Sequence, residues 1–385
     1  MLNLVNGSIQ SELSRFFQIL EDAPIALRSV SAAAFCKARK KFSYSAFVEL
    51  NQSLITTFYS GSTAELWKGH RLLAIDGSVT RLPNTPELLK HFGKARIHAN
   101  RPAVRLSQLY DIKNKLTIDI KVGKHTTGER DLALQHLAYA KENDLILYDR
   151  GYPATWMFIY HKIKSIHFCA RVPVDFSNII GNFATSGKTD RQVKLECIEK
   201  SLRKCRQLGL PTTPITVRLI KVKSKCGRTV VLATSLLDRE KYPRRLFQGL
   251  YHERWFVEED YKLMKSRLEI ENFSGLSVEA IHQDIHAKVL AKNLASLAIL
   301  DANEIVAERN QNRYYGYKVN TTYVLGQLKD NLVRFILRLV RSKRINEFIE
   351  NIANAVNAIR PGRSFDRGKR TVVRNKYPTA YKRVR

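Results

Sequence analysis

Two apolar quartets constrain this chain more than any other feature. Leu72-Leu73-Ala74-Ile75 runs into Asp76-Gly77-Ser78, and Leu145-Ile146-Leu147-Tyr148 runs into Asp149-Arg150-Gly151-Tyr152. A short apolar run bounded by turn residues reads as a strand buried on both faces. An acid at the C-terminal end of such a strand, with a glycine close behind, is where open α/β sheets place their chemistry. Between the quartets, a segment over 83–101 reads as a loop, with Pro83, Pro86, Gly93 and the basic residues Lys90, Lys94, Arg96 and Arg101. Two alternating segments, 102–112 and 115–123, then read as a hairpin around Asn114, followed by an amphipathic helix over 129–142. Asp111 falls at a hairpin edge. Asp119 falls mid-strand on a face expected to be solvated, and Asp144 precedes its strand as a turn residue. Any one aspartate is better explained structurally; a pair at two strand ends is more specific.

The order strand, hairpin, helix, strand matches the ribonuclease-H-like fold. That resemblance implies that the first and fourth strands are neighbours, so that Asp76 and Asp149 converge. Two carboxylates held close repel unless a divalent cation sits between them. Helix 153–163 and strand 166–172 complete the sheet. Residues 174–238 then read as a β-rich insertion, with turn clusters at FSNIIGNFATSGKTD and LGLPTTP and strands in ITVRLIKVKS and TVVLATSLLD. Gly187-Lys188-Thr189 is no phosphate-binding loop, because position 182 holds Asn182 where that motif needs glycine.

Downstream, Tyr251 to Lys265 contains no proline or glycine and reads as one helix. At about 100° per residue, Tyr251, Arg254, Glu258, Lys262 and Lys265 share a sector roughly 80° wide, with Phe256, Val257, Leu263 and Met264 opposite, facing a core. A carboxylate framed by cations and a phenol can hold a metal ion and phosphate oxygens. A basic amphipathic helix taken alone reads as a solvated face with ion pairs one turn apart. The spacing Tyr251-x2-Arg254-x3-Glu258-x6-Lys265, however, resembles the Y-R-E-K signature of the insertion sequence 4 family of DDE transposases. AIDGS at 74–78 and LYDRGY at 147–152 fit the same family.

That resemblance implies a catalytic triad of Asp76, Asp149 and Glu258 holding two Mg²⁺ ions, with Mn²⁺ as a substitute. It implies that Arg254 and Lys265 grip phosphates of the element end and that Tyr251 contacts the same DNA; Lys262 and Arg150 are further expected DNA contacts. The implied partners are double-stranded DNA, as terminal inverted repeats and as target, and a second copy of the chain in a homodimeric DNA complex. The implied reaction is cleavage at element ends followed by strand transfer, cut-and-paste, through a hairpin that needs a base flipped onto an aromatic ring. The insertion has no tryptophan, which leaves Phe176, Phe183, Tyr242 and Phe247 for that task. Two other readings compete: a repurposed, inactive DNA-binding protein, and a ribonuclease-H-fold nuclease without strand transfer. All three acids are present, against the first, and the basic flanks argue against the second.

Those flanks are a matter of charge. Lys and Arg number 65 against 35 Asp and Glu, a formal net charge of +30 over 385 residues. Self-repulsion on that scale points to a polyanionic partner. Three short helices, 9–22, 31–42 and 45–59, carry Lys37, Arg39, Lys40 and Lys41 between them and suggest a helical DNA-binding region over 1–65. A catalytic domain is expected over 66–305 and a helical C-terminal region over 306–385. The latter ends in a basic arm from Arg360 with ten Lys or Arg and one Asp. A long helix over 279–303 places Ala287, Leu290, Ala291, Leu294, Leu297 and Ala298 on a buried stripe, and another helical region spans about 321–358. His282 and His286, one turn apart, read as a structural pair. No apolar run reaches membrane-spanning length and no secretory leader pattern opens the chain, so a cytoplasmic protein is expected, and the family resemblance implies a bacterial, nucleoid-associated one. Five scattered cysteines with no C-x-x-C read as reduced thiols.

Overall fold

The structure is a computed structural model that describes residues 8–25, 28–61, 64–94, 101–223, 227–337, 342–360 and 362. The basic arm beyond residue 362, Arg96 of the loop after the first strand, and Cys226 lie outside the described residues. In chain order the elements begin with helices α1 (Ile9–Leu20), α2 (Ala32–Arg39) and α3 (Ser45–Ser60). Strand β1 (Leu72–Arg81), helix α4 (Pro86–Phe92), strands β2 (Ala103–Asp111) and β3 (Leu116–Lys124), helix α5 (Glu129–His136) and strand β4 (Leu145–Tyr148) follow. Next come α6 (Thr155–Ile163), β5 (His167–Val172), α7 (Asn178–Thr185), β6 (Asp190–Leu195), α8 (Glu199–Gln207), β7 (Ile215–Lys223) and β8 (Thr229–Thr234). The last are α9 (Leu246–Glu253), α10 (Trp255–Ser266), α11 (Val278–Arg309), β9 (Tyr317–Val319), α12 (Thr321–Ile336), α13 (Ser342–Asn354) and β10 (Val356–Ala358).

The chain divides into two compact units. One comprises 58–78 and 105–261. It holds most of a mixed eight-stranded sheet in the order β3-β2-β1-β4-β5-β8-β7-β6. β4 runs parallel to both β1 and β5, whereas β5, β8, β7 and β6 pair antiparallel in turn. Parallel strands in the middle of a sheet are covered on both faces. Accordingly Leu72 to Ile75 and Leu145 to Tyr148 are fully buried. The stretch 174–238 is therefore an extension of the same sheet by three strands. Its first turn cluster contains helix α7, capped by Ser177 Oγ, which accepts from Ile180 N at 3.4 Å.

β1 departs from the reading of a strand that stops at Asp76: it continues to Arg81. Its pairing with β4 ends at Ile75↔Tyr148, because β4 stops there. The hairpin aspartates are structural and more deeply buried than their positions suggested. Asp111 accepts from Tyr59 Oη and from Asn114 Nδ2 at 2.8 Å. Asp144 pairs with Arg71. Asp119, expected on a solvated face, is 3 % exposed and lies 2.6 Å from His136 Nδ1. An aspartate can sit inside a strand face only when an imidazole and a lysine satisfy it, and Lys121 Nζ adds a 3.0 Å contact.

The other unit comprises 1–57, 79–104 and 262–385. Helix α11 packs against α4, α12, α13 and β9. Its residues 280–293 are buried on nearly every side, beyond the expected stripe, whereas Leu294, Leu297 and Ala298 are only partly buried. Arg39, read as part of a basic surface, is a core residue: its guanidinium pairs with Asp284 at 2.8 Å, both side chains 6 % exposed. His282 and His286 stack on Tyr44, with ring centroids 4.6 and 5.3 Å away. The segment 83–101, read as loop, contains α4. Thr85 Oγ1 accepts from Leu88 N at 3.3 Å, Pro86 opens the helix, and Gly93 closes it at φ 83°. Among the described residues, Cys36, Cys169, Cys197 and Cys205 are free thiols, and no helix is long and apolar enough to cross a membrane.

Candidate active site

Asp76 and Asp149 each follow immediately on the last register pair of the parallel strands, Ile75↔Tyr148. Neighbouring parallel strands lie about 4.8 Å apart, so the pairing brings the two acids alongside one another. The chain turns sharply after Asp149, where Tyr152 N donates to Asp149 O at 3.2 Å. Arg150, on that turn, is exposed.

The third acid comes from the helical segment, which is not continuous. α9 ends at Glu253 and α10 starts at Trp255, with Arg254 between them. Arg254 N donates to Tyr251 O and Val257 N to Arg254 O, both at 3.3 Å, so the chain tightens to three-residue spacing at the arginine. This shifts the two halves of the expected face. Val257 and Met264 are buried as expected, but Phe256 is 43 % exposed, beside Trp255 at 47 %. The Phe256 ring carries Lys115 Nζ 3.8 Å from its centroid.

Arg254 is buried, and its Nη2 donates to Glu258 Oε1 at 2.7 Å. Tyr251 Oη donates to Asp149 Oδ1 at 3.3 Å. Burial alone would lower the Arg254 pKa, but the fields of Tyr251, Asp149 and Asp76 and the bond to Glu258 outweigh it and leave it raised. Burial pushes the Asp76 carboxyl up to about 6; the Gly77 N–H and Arg254 pull it down, and the charges of Glu258 and Asp149 push it further up. Asp76, Asp149, Glu258, Arg254 and Tyr251 are thus one electrostatic group. Lys262 and Lys265, on the last turns of α10, belong to the other unit. There Lys265 Nζ donates to Val79 O at 2.9 Å, and burial lowers its pKa.

Three neighbours of the acids were not singled out from the sequence. Tyr261 Oη donates to Asp76 O at 3.0 Å and fixes that backbone. Glu129, in the first turn of α5, points its carboxylate at both glycines: its oxygens lie 3.8 Å and 3.5 Å from where a Cβ would stand on Gly77 and Gly151. Arg105 Nη1 holds it at 3.3 Å. Tyr152 is 2 % exposed, and its hydroxyl has no hydrogen-bond partner among the described residues. A buried hydroxyl left unpaired costs about 1–3 kcal/mol. Burial, with the charges of Asp76, Glu129 and Asp149 behind it, raises the Tyr152 pKa. LYDRGY includes this tyrosine, but its reach toward Asp76 follows from the turn and not from spacing. Of the aromatics considered for stacking a base, Phe183, Tyr242 and Phe247 are buried in the core and Phe176 is partly buried.

The donor set suits a hard divalent cation. It consists of carboxylate oxygens, those of Asp149 and Glu258 acting by their charge on Asp76, with the buried guanidinium of Arg254 to offset the charge. Among the described residues no three carboxylate, imidazole or thiol groups already stand together at ligating distance. A cation therefore has to compete with Arg254 for Glu258.

Acids at the ends of neighbouring parallel strands, with a glutamate on a later helix, are a set able to hold the divalent cations of phosphoryl-transfer chemistry. The family follows from the sequence comparisons. The model of the transposase DDE domain matches residues 67–294. Over 363 residues, 92 % of this chain and 79 % of the relative, the sequence is 25 % identical to the transposase InsG for insertion sequence element IS4 of Escherichia coli K12. Over 88 residues, 22 % of this chain and 29 % of the relative, it is 31 % identical to the putative transposase InsZ of the same organism. The piggyBac transposase synaptic complex with hairpin DNA, a solved structure, aligns at a TM-score of 0.39 and 12 % identity. That alignment covers 76 % of this chain and 59 % of the other. The chain belongs to the DDE transposases of the insertion sequence 4 family and is an enzyme that acts on DNA.

Proposed function

We propose that this transposase cuts double-stranded DNA at the terminal inverted repeats of an insertion sequence and joins the freed ends to target DNA, with Asp76, Asp149 and Glu258 as its catalytic acids. The observation that carries this reading is the register. Asp76 and Asp149 both follow the pair Ile75↔Tyr148, and Glu258 is near enough for its charge to act on Asp76. The strand order β3-β2-β1-β4-β5, with β4 parallel to both neighbours, supports a ribonuclease-H-like fold for the catalytic part. The described helices α1 to α3 and α12 to α13, with the net charge of +30, support DNA-holding roles for the regions 1–65 and 306–385.

The three acids would hold two Mg²⁺ or Mn²⁺ ions, which supply Lewis acidity at both ends of an in-line displacement. Arg254 keeps Glu258 oriented and balances the acids while no cation is bound. Tyr251, tied to Asp149, and exposed Arg150 flank the place where a DNA backbone would lie. Water attacks the scissile phosphorus and the P–O3′ bond breaks, leaving a 5′-phosphate and a 3′-hydroxyl, with a proton passing from the water to the leaving oxygen. That hydroxyl then attacks a phosphodiester of the target, forming a new P–O3′ bond as the target's own P–O3′ bond breaks and a target 3′-hydroxyl is released. A hairpin step would need a stacking surface, and the exposed Trp255 ring, next to Arg254, suits that task better than the buried aromatics of 174–238. Two ends cut in concert imply a homodimer on DNA, working in the bacterial cytoplasm.

The test is to incubate the full chain with linear DNA carrying its element ends, with Mg²⁺ or with EDTA, and then with a target plasmid. Metal-dependent cutting at the element boundary followed by joined product supports the reading. Cutting without joining reduces it to a nuclease, and metal-independent binding without cutting leaves a DNA-binding protein.

A further inference from the structure

We propose that the Tyr152 hydroxyl donates a hydrogen bond to a non-bridging oxygen of the phosphodiester being cut, which makes it a further catalytic residue. This rests on the triad reading above. Tyr152 is on the turn that follows Asp149, and that turn is braced at both ends: Tyr152 N donates to Asp149 O at 3.2 Å, and Arg130 Nε donates to Tyr152 O at 3.0 Å. Its ring lies 5.7 Å from that of Tyr148, the last residue of β4. With backbone and ring fixed, the hydroxyl crosses to the neighbouring strand and ends 3.6 Å from where a Cβ would stand on Gly77, the residue after Asp76. It therefore lies between the Asp149 turn and the stretch of β1 that carries Asp76.

The hydroxyl is buried there with no partner among the described residues, whereas most buried polar groups in proteins have one. Glu129, which approaches the same glycine, is engaged by Arg105 instead. Asp76, Asp149 and Glu129 surround the phenol with negative charge, which favours the protonated, donating form. A donor held rigid without an acceptor, beside acids whose substrate is a phosphodiester, is pre-organised for the oxygen that the substrate brings. A structural role would need only the ring.

The experiment compares wild type, Tyr152→Phe and Asp76→Asn as full-length chains in single-turnover nicking of element-end DNA with Mg²⁺, alongside thermal melting. The nicking is repeated with each phosphorothioate diastereomer at the scissile position. Loss of one donor of this kind slows chemistry by about 10- to 1000-fold. The expected result is a Tyr152→Phe rate lower by that factor, a melting temperature no lower than that of wild type, and loss of the wild-type preference between diastereomers. A Tyr152→Phe rate within twofold of wild type overturns the proposal, as does a rate that falls only in step with the folded fraction. If wild type does not cut, or Asp76→Asn cuts as fast as wild type, the triad reading fails and this inference with it.

Discussion

Arg254 donates to Glu258 at 2.7 Å, its own side chain 6 % exposed and that of the glutamate 30 %. The pair sits where α9 gives way to α10, and the same guanidinium lies in the fields of Asp149 and Asp76. Removing it leaves three acids without their counter-charge. Arg254→Ala is expected to lower the unfolding free energy by about 1–3 kcal/mol, less than a fully buried pair because Glu258 reaches solvent. Arg254→Lys recovers only part of this, since an ammonium lacks the planar fork. Urea denaturation in EDTA measures both; two variants as stable as wild type would remove the arginine from this role.

The Asp76 carboxyl predicts a pH dependence. Its pKa in the folded chain, about 6, is above the ordinary 3.8, so the fold favours the protonated form. That contribution is fully present below about pH 4 and is lost as pH rises through 6. In EDTA, Asp76→Asn should therefore be more stable than wild type by about 1–3 kcal/mol above pH 6, at 1.36 kcal/mol per unit. The advantage should vanish below pH 4. Denaturation curves from pH 4 to pH 8 check this, and a difference independent of pH would contradict it.

Asp119 tests the structural reading of a nearby acid. It is held by His136 at 2.6 Å, and His136 Nε2 reaches Ser107 Oγ at 3.0 Å. Asp119→Ala should cost about 2–4 kcal/mol, because it leaves Nδ1 of a fully buried imidazole unpaired. A solvated strand-face aspartate would cost under about 0.5 kcal/mol. Thermal denaturation separates the two, and cutting per folded molecule should stay at the wild-type level.

Two glycines give opposite expectations. A Cβ on Gly275 would stand 2.5 Å from Ala280 Cβ, a contact that no flexible side chain can relieve. Gly275→Ala should destabilise by about 1–3 kcal/mol. Gly249, inside α9, has nothing within 4 Å of that position. Gly249→Ala should stabilise by about 0.5–1 kcal/mol, as alanine does in a helix interior. Melting temperatures of the two variants are the check.

Local signals in the sequence located β4 and the hairpin turn, and the apolar start of β1, because a buried strand needs an unbroken apolar run. The same runs placed Asp76 and Asp149. Other features escaped for physical reasons. Thr85, Pro86 and Gly93 are helix-boundary residues, yet they read as loop because α4 is a single short helix among them. Asp119 and Arg39 looked solvated, since a charge in a strand or helix gives no sign of its partner; His136 and Asp284 are 17 and 245 positions away. Phe256 is exposed because the buried side of α10 runs through Val257 and Met264, and Phe256 stands about 100° from Val257 on the same helix, at the rim of the face drawn for it. The order β5-β8-β7-β6 depends on pairings between distant segments, to which hydrophobic period is blind.

The central claim is that Asp76, Asp149 and Glu258 form one cation site. Mn²⁺ titration followed by electron paramagnetic resonance, on wild type and on Asp76→Asn, Asp149→Asn and Glu258→Gln, tests it most directly. The account predicts saturable Mn²⁺ binding by wild type and a loss of about tenfold or more in each variant, since each acid supplies ligands to the same two-ion site. Three variants that bind Mn²⁺ as tightly as wild type would contradict it.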